Sequence, residues 1–150
     1  MYVFLDVDGV LNTEEDWSRK VYSLNDHCVT AFLRLLENLP EPHIVLSSSW
    51  RTGIANDGTT AVHVEDILRT LASAGIHQMD KTGFSPDGSR SKEIDHYLIR
   101  HPADSYLILD DDPQLFELKD KTPRLYLTDA HKGLTDKDVD KILKLIKRWK

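Results

Sequence analysis

Tyr2-Val3-Phe4-Leu5-Asp6-Val7-Asp8-Gly9 is the stretch that decides the fold. Four consecutive apolar residues run straight into two carboxylates and a glycine. Unbroken rather than alternating hydrophobicity belongs to a strand buried on both faces, as in a parallel sheet. The layout recurs along the chain. Residues 44–46 lead into Ser47-Ser48-Ser49-Trp50-Arg51, and residues 106–109 lead into Asp110-Asp111-Asp112-Pro113. A further run lies at 125–127, and a weaker candidate at 76–79, just after Gly75.

Segments of helical spacing separate these runs. Val29, Phe32, Leu33 and Leu36 fall at i, i+3, i+4, i+7, with Asn25 placed to cap the helix. Val64, Ile67, Leu68 and Leu71 repeat the pattern, and Gly75 stands where a C-terminal cap belongs. Ile94 and Leu98 mark a third helix, closed by Pro102. Val139, Ile142, Leu143 and Ile146 mark a fourth, opened by Thr135 with Asp138 at capping-box spacing. Strands alternating with helices predict an α/β fold: three layers, a doubly wound parallel sheet with helices on both faces. Residues 52–60 and 82–91, rich in Gly, Asn and Pro, are expected loops.

The chain of 150 residues is expected to form one domain, residues 1–150, with 40% hydrophobic and 29% charged residues. Its net charge of −6 excludes a global basic field for nucleic acid, although a local basic groove depends on distribution rather than on the sum. The single cysteine, Cys28, excludes an intramolecular disulfide and sits in an apolar helical pattern, as a small hydrophobe would. No apolar stretch approaches the roughly 18 residues of a membrane span. The N-terminus lacks the layout of a secretion signal, so a cytoplasmic protein with no membrane partner is expected. The seven histidines are scattered singly, without metal-ligand spacing. Lys137, Lys141, Lys144 and Arg148 share one helical face and read as a solvated one.

In open α/β sheets ligands bind beyond the carboxyl ends of the strands. Three strands therefore deliver Asp6 and Asp8, Ser47 to Arg51, and Asp110 to Asp112 to one rim. Carboxylates crowded together repel, and burying them without a cation is costly. An all-oxygen set suits Mg²⁺. A carboxylate at such a centre can attack phosphorus to form an aspartyl-phosphate. A second carboxylate two residues on can act as general acid and then general base. An EF-hand calcium loop does not fit, because Val10 and Leu11 fall where ligands should continue. Lys92 lies in the first turn of its helix, where the macrodipole disfavours a cation unless an anion is close. Asp110, Asp111 and a bound phosphate would supply one.

The order Asp-x-Asp-Gly, Ser, Lys, Asp-Asp resembles the haloacid dehalogenase-like (HAD) phosphohydrolase superfamily across residues 1 to about 115. Leu5-Asp6-Val7-Asp8-Gly9-Val10-Leu11 looks like its first motif, Ser47 its second, Lys92 its third and Ile108-Leu109-Asp110-Asp111 its fourth. The resemblance implies a Rossmann-like sheet and a Mg²⁺-dependent phosphomonoester hydrolase. In that reading Asp6 is nucleophile and metal ligand, and Asp8 is general acid/base and a ligand through its carbonyl. Ser47 grips the phosphoryl group, Asp111 is the second side-chain ligand, and Asp110 anchors Lys92 or a metal-bound water. Asp110 and Asp111 can exchange roles, and Ser48 can replace Ser47 if the strand runs one residue further. Ser48-Ser49-Trp50-Arg51, with Gly133-Leu134-Thr135, is similar to the small HAD domains grouped with RNA-repair proteins and compared with the phosphatase module of polynucleotide kinase-phosphatases. That narrower likeness implies substrate contacts: Arg51 clamping a phosphate and Trp50 stacking on a base.

About 38 residues separate Asp8 from Ser47 and about 44 separate Ser47 from Lys92, so no large cap domain is expected. An open site favours a phosphate presented on something large, such as a nucleic-acid end or a protein, with a small nucleotide as the nearest rival. A phospho-accepting receiver would carry its acceptor Asp on a middle strand, where this chain has Ser47. A silent binding module would not need both Asp6 and Asp8.

Overall fold

β1 (Tyr2–Leu5) is the centre of a five-stranded sheet. β2 (His43–Leu46) pairs on one side of it and β4 (Tyr106–Asp110) on the other. β3 (Met79–Lys81) and β5 (Leu125–Leu127) lie outside, giving the order β3-β2-β1-β4-β5, and every pairing is parallel. The structure is a computed structural model and describes residues 1–21, 23–113 and 124–149.

Among the described residues, five α-helices flank the sheet: α1 (Glu14–Ser18), α2 (Asp26–Glu37), α3 (Val62–Ser73), α4 (Arg90–Arg100) and α5 (Asp136–Lys147). The two-residue period of a strand sorts the core into two layers. Val3, Leu5, Ile44, Leu46, Leu107 and Leu109 point to one face, against Phe32 and Leu35 of α2, Ile67 and Leu71 of α3, and Val139 and Ile142 of α5. Phe4, Val45 and Ile108 point to the other, against Ile94 and Tyr97 of α4. This is the three-layer Rossmann-like arrangement the apolar runs predict. Only α1 and α2 lie between β1 and β2, so among the described residues there is no large cap domain.

The caps form as expected. Asn25 Oδ1 accepts from the amides of His27 and Cys28, and Thr135 and Asp138 form a reciprocal capping box. Gly75 follows α3 with φ +79, which a side-chain-bearing residue resists. Cys28 is buried, and its thiol is pushed up to about 11 by that burial, as suits a packing residue.

The expected strand at 76–79 is displaced. The amide of Ile76 still bonds to Leu71 O, which finishes α3, and pairing with β2 starts only at Met79. β3 is an edge strand with polar Asp80 and Lys81, so hydrophobicity marks its approach rather than its extent. Among the described residues, no helix is long and apolar enough to cross a membrane.

Candidate active site

The chain passes from β1 to β2 on one side and later crosses to β4 on the other, which opens a crevice at the carboxyl ends of β1 and β4. Phe4, Val45 and Ile108 face α4, so the residues two further on, Asp6, Ser47 and Asp110, face that side too. Asp6 N bonds to Leu109 O at 3.0 Å and Ser47 N to Leu5 O at 2.9 Å, so the ladder fixes the backbone at these positions.

Asp6, Asp110 and Asp111 each offer a carboxylate oxygen within 4.8 Å of the others. Asp110 is fully buried; its Oδ1 accepts from the amides of Asp111 (2.8 Å) and Asp112 (2.9 Å), and its Oδ2 accepts from Arg90 Nη1 at 2.8 Å. Arg90 also stands 3.4 Å from Asp6 Oδ1. Burial, then repulsion from Asp110, outweighs the pull of Arg90 and raises Asp6 from 3.8 to about 9. Asp111 is half-buried and pressed against Gly9, whose φ is +84; a Cβ there would collide with Asp111 Oδ2. Glycine at position 9 is thus what lets the fourth-motif carboxylate approach the first motif.

The cation at the cluster is Arg90, where Lys92 is the one expected from the sequence. Lys92 Nζ pairs with Asp87 Oδ2 at 2.5 Å, and its side chain is 61% exposed. The reason is helical rotation. Arg90, Glu93, Ile94 and Tyr97 fall at i, i+3, i+4, i+7, and Glu93, Ile94 and Tyr97 are buried, which turns Arg90 inward and Lys92 out. The buried stripe of Ile94 and Tyr97 was the signal that picks Arg90.

Asp8 is half-buried and stands apart from the trio. Its Oδ1 accepts from Asn12 Nδ2 at 2.9 Å and from Trp50 Nε1 at 3.0 Å. Trp50 lies edge-on to His63, 5.1 Å between ring centroids. It therefore orients Asp8, and its polar edge is not free for a base. Asn12 also accepts from Gly9 N at 3.0 Å; the sequence offered no periodic signal for it. The alternatives at β2 separate. Ser48 Oγ accepts from Trp50 N and caps the 3₁₀ turn Ser49–Gly53, whereas Ser47 Oγ is buried and has no hydrogen-bond partner.

Arg51 is not a free phosphate clamp. Its side chain is 4% exposed, with Nη2 on both carboxylate oxygens of Glu93 (2.8 and 2.9 Å) and Nη1 on Ser47 O and Ser48 O (both 2.8 Å). Glu93 also accepts from Ser85 N at 2.9 Å. The guanidinium thus ties the end of β2 to α4 and to the segment before it.

Ionised together, the three carboxylates would outnumber the one guanidinium by two charges, and all the donors are oxygen. Both features fit a hard divalent cation such as Mg²⁺, which Asp6 and Asp111 would hold, with Asp110 as a further carboxylate in reach.

A sheet of this order with aspartates at the ends of β1 and β4 defines a HAD-type domain. Residues 2–139 match the family described as the HAD domain in Swiss Army Knife RNA repair proteins, and the chain belongs to that family. No curated protein and no solved structure matches significantly.

Two outcomes follow from this geometry. Between its ordinary value of 3.8 and about 9, Asp6 keeps a proton in the folded chain that the unfolded chain has released, so the metal-free protein loses stability as pH rises across that window. Melting curves in chelator should fall from about pH 5 to about pH 8, and Mg²⁺ should raise the melting temperature more at the higher pH; a flat profile contradicts the cluster. Glu93→Ala strands a buried guanidinium and should cost about 3–5 kcal/mol in urea unfolding.

Proposed function

We propose that this chain is a Mg²⁺-dependent phosphomonoesterase that works through an aspartyl-phosphate on the terminal phosphate of a nucleic-acid strand. The observation that carries the reading is the convergence of three oxygen-donor carboxylates, Asp6, Asp110 and Asp111, at a strand end that presents Asp6. Membership of a family described by RNA repair, and the absence of a large cap among the described residues, support a substrate too large for an enclosed pocket.

The residues divide the work as follows. Asp6 forms a bond to phosphorus as the ester P–O bond breaks, and Asp8 gives its proton to the departing oxygen. Water then attacks phosphorus, Asp8 takes its proton, and the acyl-phosphate P–O bond breaks to release inorganic phosphate and restore Asp6. Asp8 Oδ1 is held by Asn12 and Trp50, which leaves Oδ2 for the proton. Ser47 Oγ, buried without a partner, is available to the phosphoryl group. Bound Mg²⁺ supplies charge to the phosphoryl oxygens and favours the ionised form of Asp6.

Phosphate release from 3′- and 5′-phosphorylated oligonucleotides, measured with Mg²⁺ and with chelator, tests the proposal. Release should require the metal, and Asp6→Asn should reduce it by roughly a thousandfold or more with the fold retained. Metal-independent release, or activity retained by Asp6→Asn, contradicts the assignment; preference for a mononucleotide moves the substrate to a small nucleotide. Trp50→Phe, which removes the donor to Asp8 and keeps the ring, should lower kcat by roughly tenfold with little change in KM.

A further inference from the structure

Phe84 is a large apolar side chain left 61% exposed, in the segment between β3 and α4. Such rings are ordinarily turned inward, and this one is held in place without being covered. The guanidinium carbon of Arg51 lies 3.9 Å from the ring centroid, a cation–π contact on one face. That guanidinium is itself fixed by Glu93 and by the carbonyls of Ser47 and Ser48. The backbone is anchored on either side of the ring: Thr82 N bonds to Leu46 O at 3.0 Å and Ser85 N to Glu93 Oε2 at 2.9 Å. Phe84 therefore stands one guanidinium away from the strand end that carries Ser47.

Beside the ring opens a cavity of about 350 Å³, lined by Phe84 with Lys81, His96, Arg100 and His101 and by two carboxylates already engaged, Asp80 by Tyr97 Oη and Glu93 by Arg51. His96 and Arg100 are exposed on successive turns of α4. In a chain of net charge −6, His96 and Arg100 put basic groups next to a pinned aromatic face.

We propose that Phe84 and this cavity form a nucleotide subsite. The open face of the Phe84 ring stacks on the base adjoining the terminal phosphate, and Arg100 with His96 receives the following backbone phosphate. Stacking on a pre-positioned ring tolerates any base, since each has a π-face, and it needs the base unpaired, so the ligand is a single-stranded end. The subsite rests on the reading of the crevice as one that takes a nucleic-acid terminal phosphate. It assigns to Phe84 the base contact that the sequence suggests for Trp50.

Fluorescence anisotropy in the Asp6→Asn background with Mg²⁺ tests it, using a terminally phosphorylated single-stranded oligonucleotide and the same strand with an abasic terminal nucleotide. The base-bearing strand should bind roughly tenfold more tightly. Phe84→Ala should erase that preference while leaving the abasic strand unaffected, and Phe84→Trp should keep it. Equal affinity for the two strands, no binding of either, an equal loss on both in Phe84→Ala, or tighter binding of a phosphopeptide overturns the subsite. The catalytic reading fails separately: an intact base preference, with no phosphate released from any oligonucleotide by the unmutated chain, removes the hydrolase and leaves the subsite standing.

Discussion

Repulsion among Asp6, Asp110 and Asp111, gathered at the mouths of adjacent parallel strands, is the constraint around which the rest is arranged. Buried carboxylates are tolerated only with counter-charge or with donors on their oxygens. The chain supplies both. Loop amides take one oxygen of Asp110, and Arg90 takes the other. Arg90 belongs to α4, whose first turn is tied to β2 by the Glu93–Arg51 pair. A single line of charge thus runs from β1 and β4 through α4 to β2, and it sets the position of Ser47 as well.

The sheet was legible in the sequence because strands buried on both faces have no polar side to disguise them. β1, β2, β4 and β5 all announce themselves as short apolar runs, and the carboxylates follow because chemistry in this architecture sits at strand ends. β3 was legible only in its approach, since an edge strand ending in Asp80 and Lys81 has no continuous run to read. In α4 the macrodipole singles out the first turn but not the side chain within it. A dipole has no preference around the helix axis. The packing of Ile94 and Tyr97 supplies one, and it points to Arg90.

The positions of Trp50, Arg51 and Asn12 were not legible for another reason. They lie in a 3₁₀ turn and a loop, where no period distinguishes inward from outward positions. Polar groups that follow a serine at a strand end look like substrate contacts. In this fold they support the site from behind: Trp50 and Asn12 aim Asp8, and Arg51 braces the end of β2. In the proposed subsite, contact with the ligand falls instead to residues that looked ordinary, among them a phenylalanine in an expected loop.

The central place of β1 governs how the molecule comes together. Its partners on the sheet are His43–Leu46 on one flank and Tyr106–Asp110 on the other, so a segment at the start of the chain waits for one near its far end. Pairings this distant in sequence are slow to form, because the loop between them must be closed first. During synthesis the half built on β1 and β2 is available early, with Asp6 at its edge. The opposite wall of the crevice, with Asp110 and Asp111, arrives only when β4 docks. The electrostatic conflict therefore arises only when β4 docks, by which point α4 has already been made and can bring Arg90 to meet it.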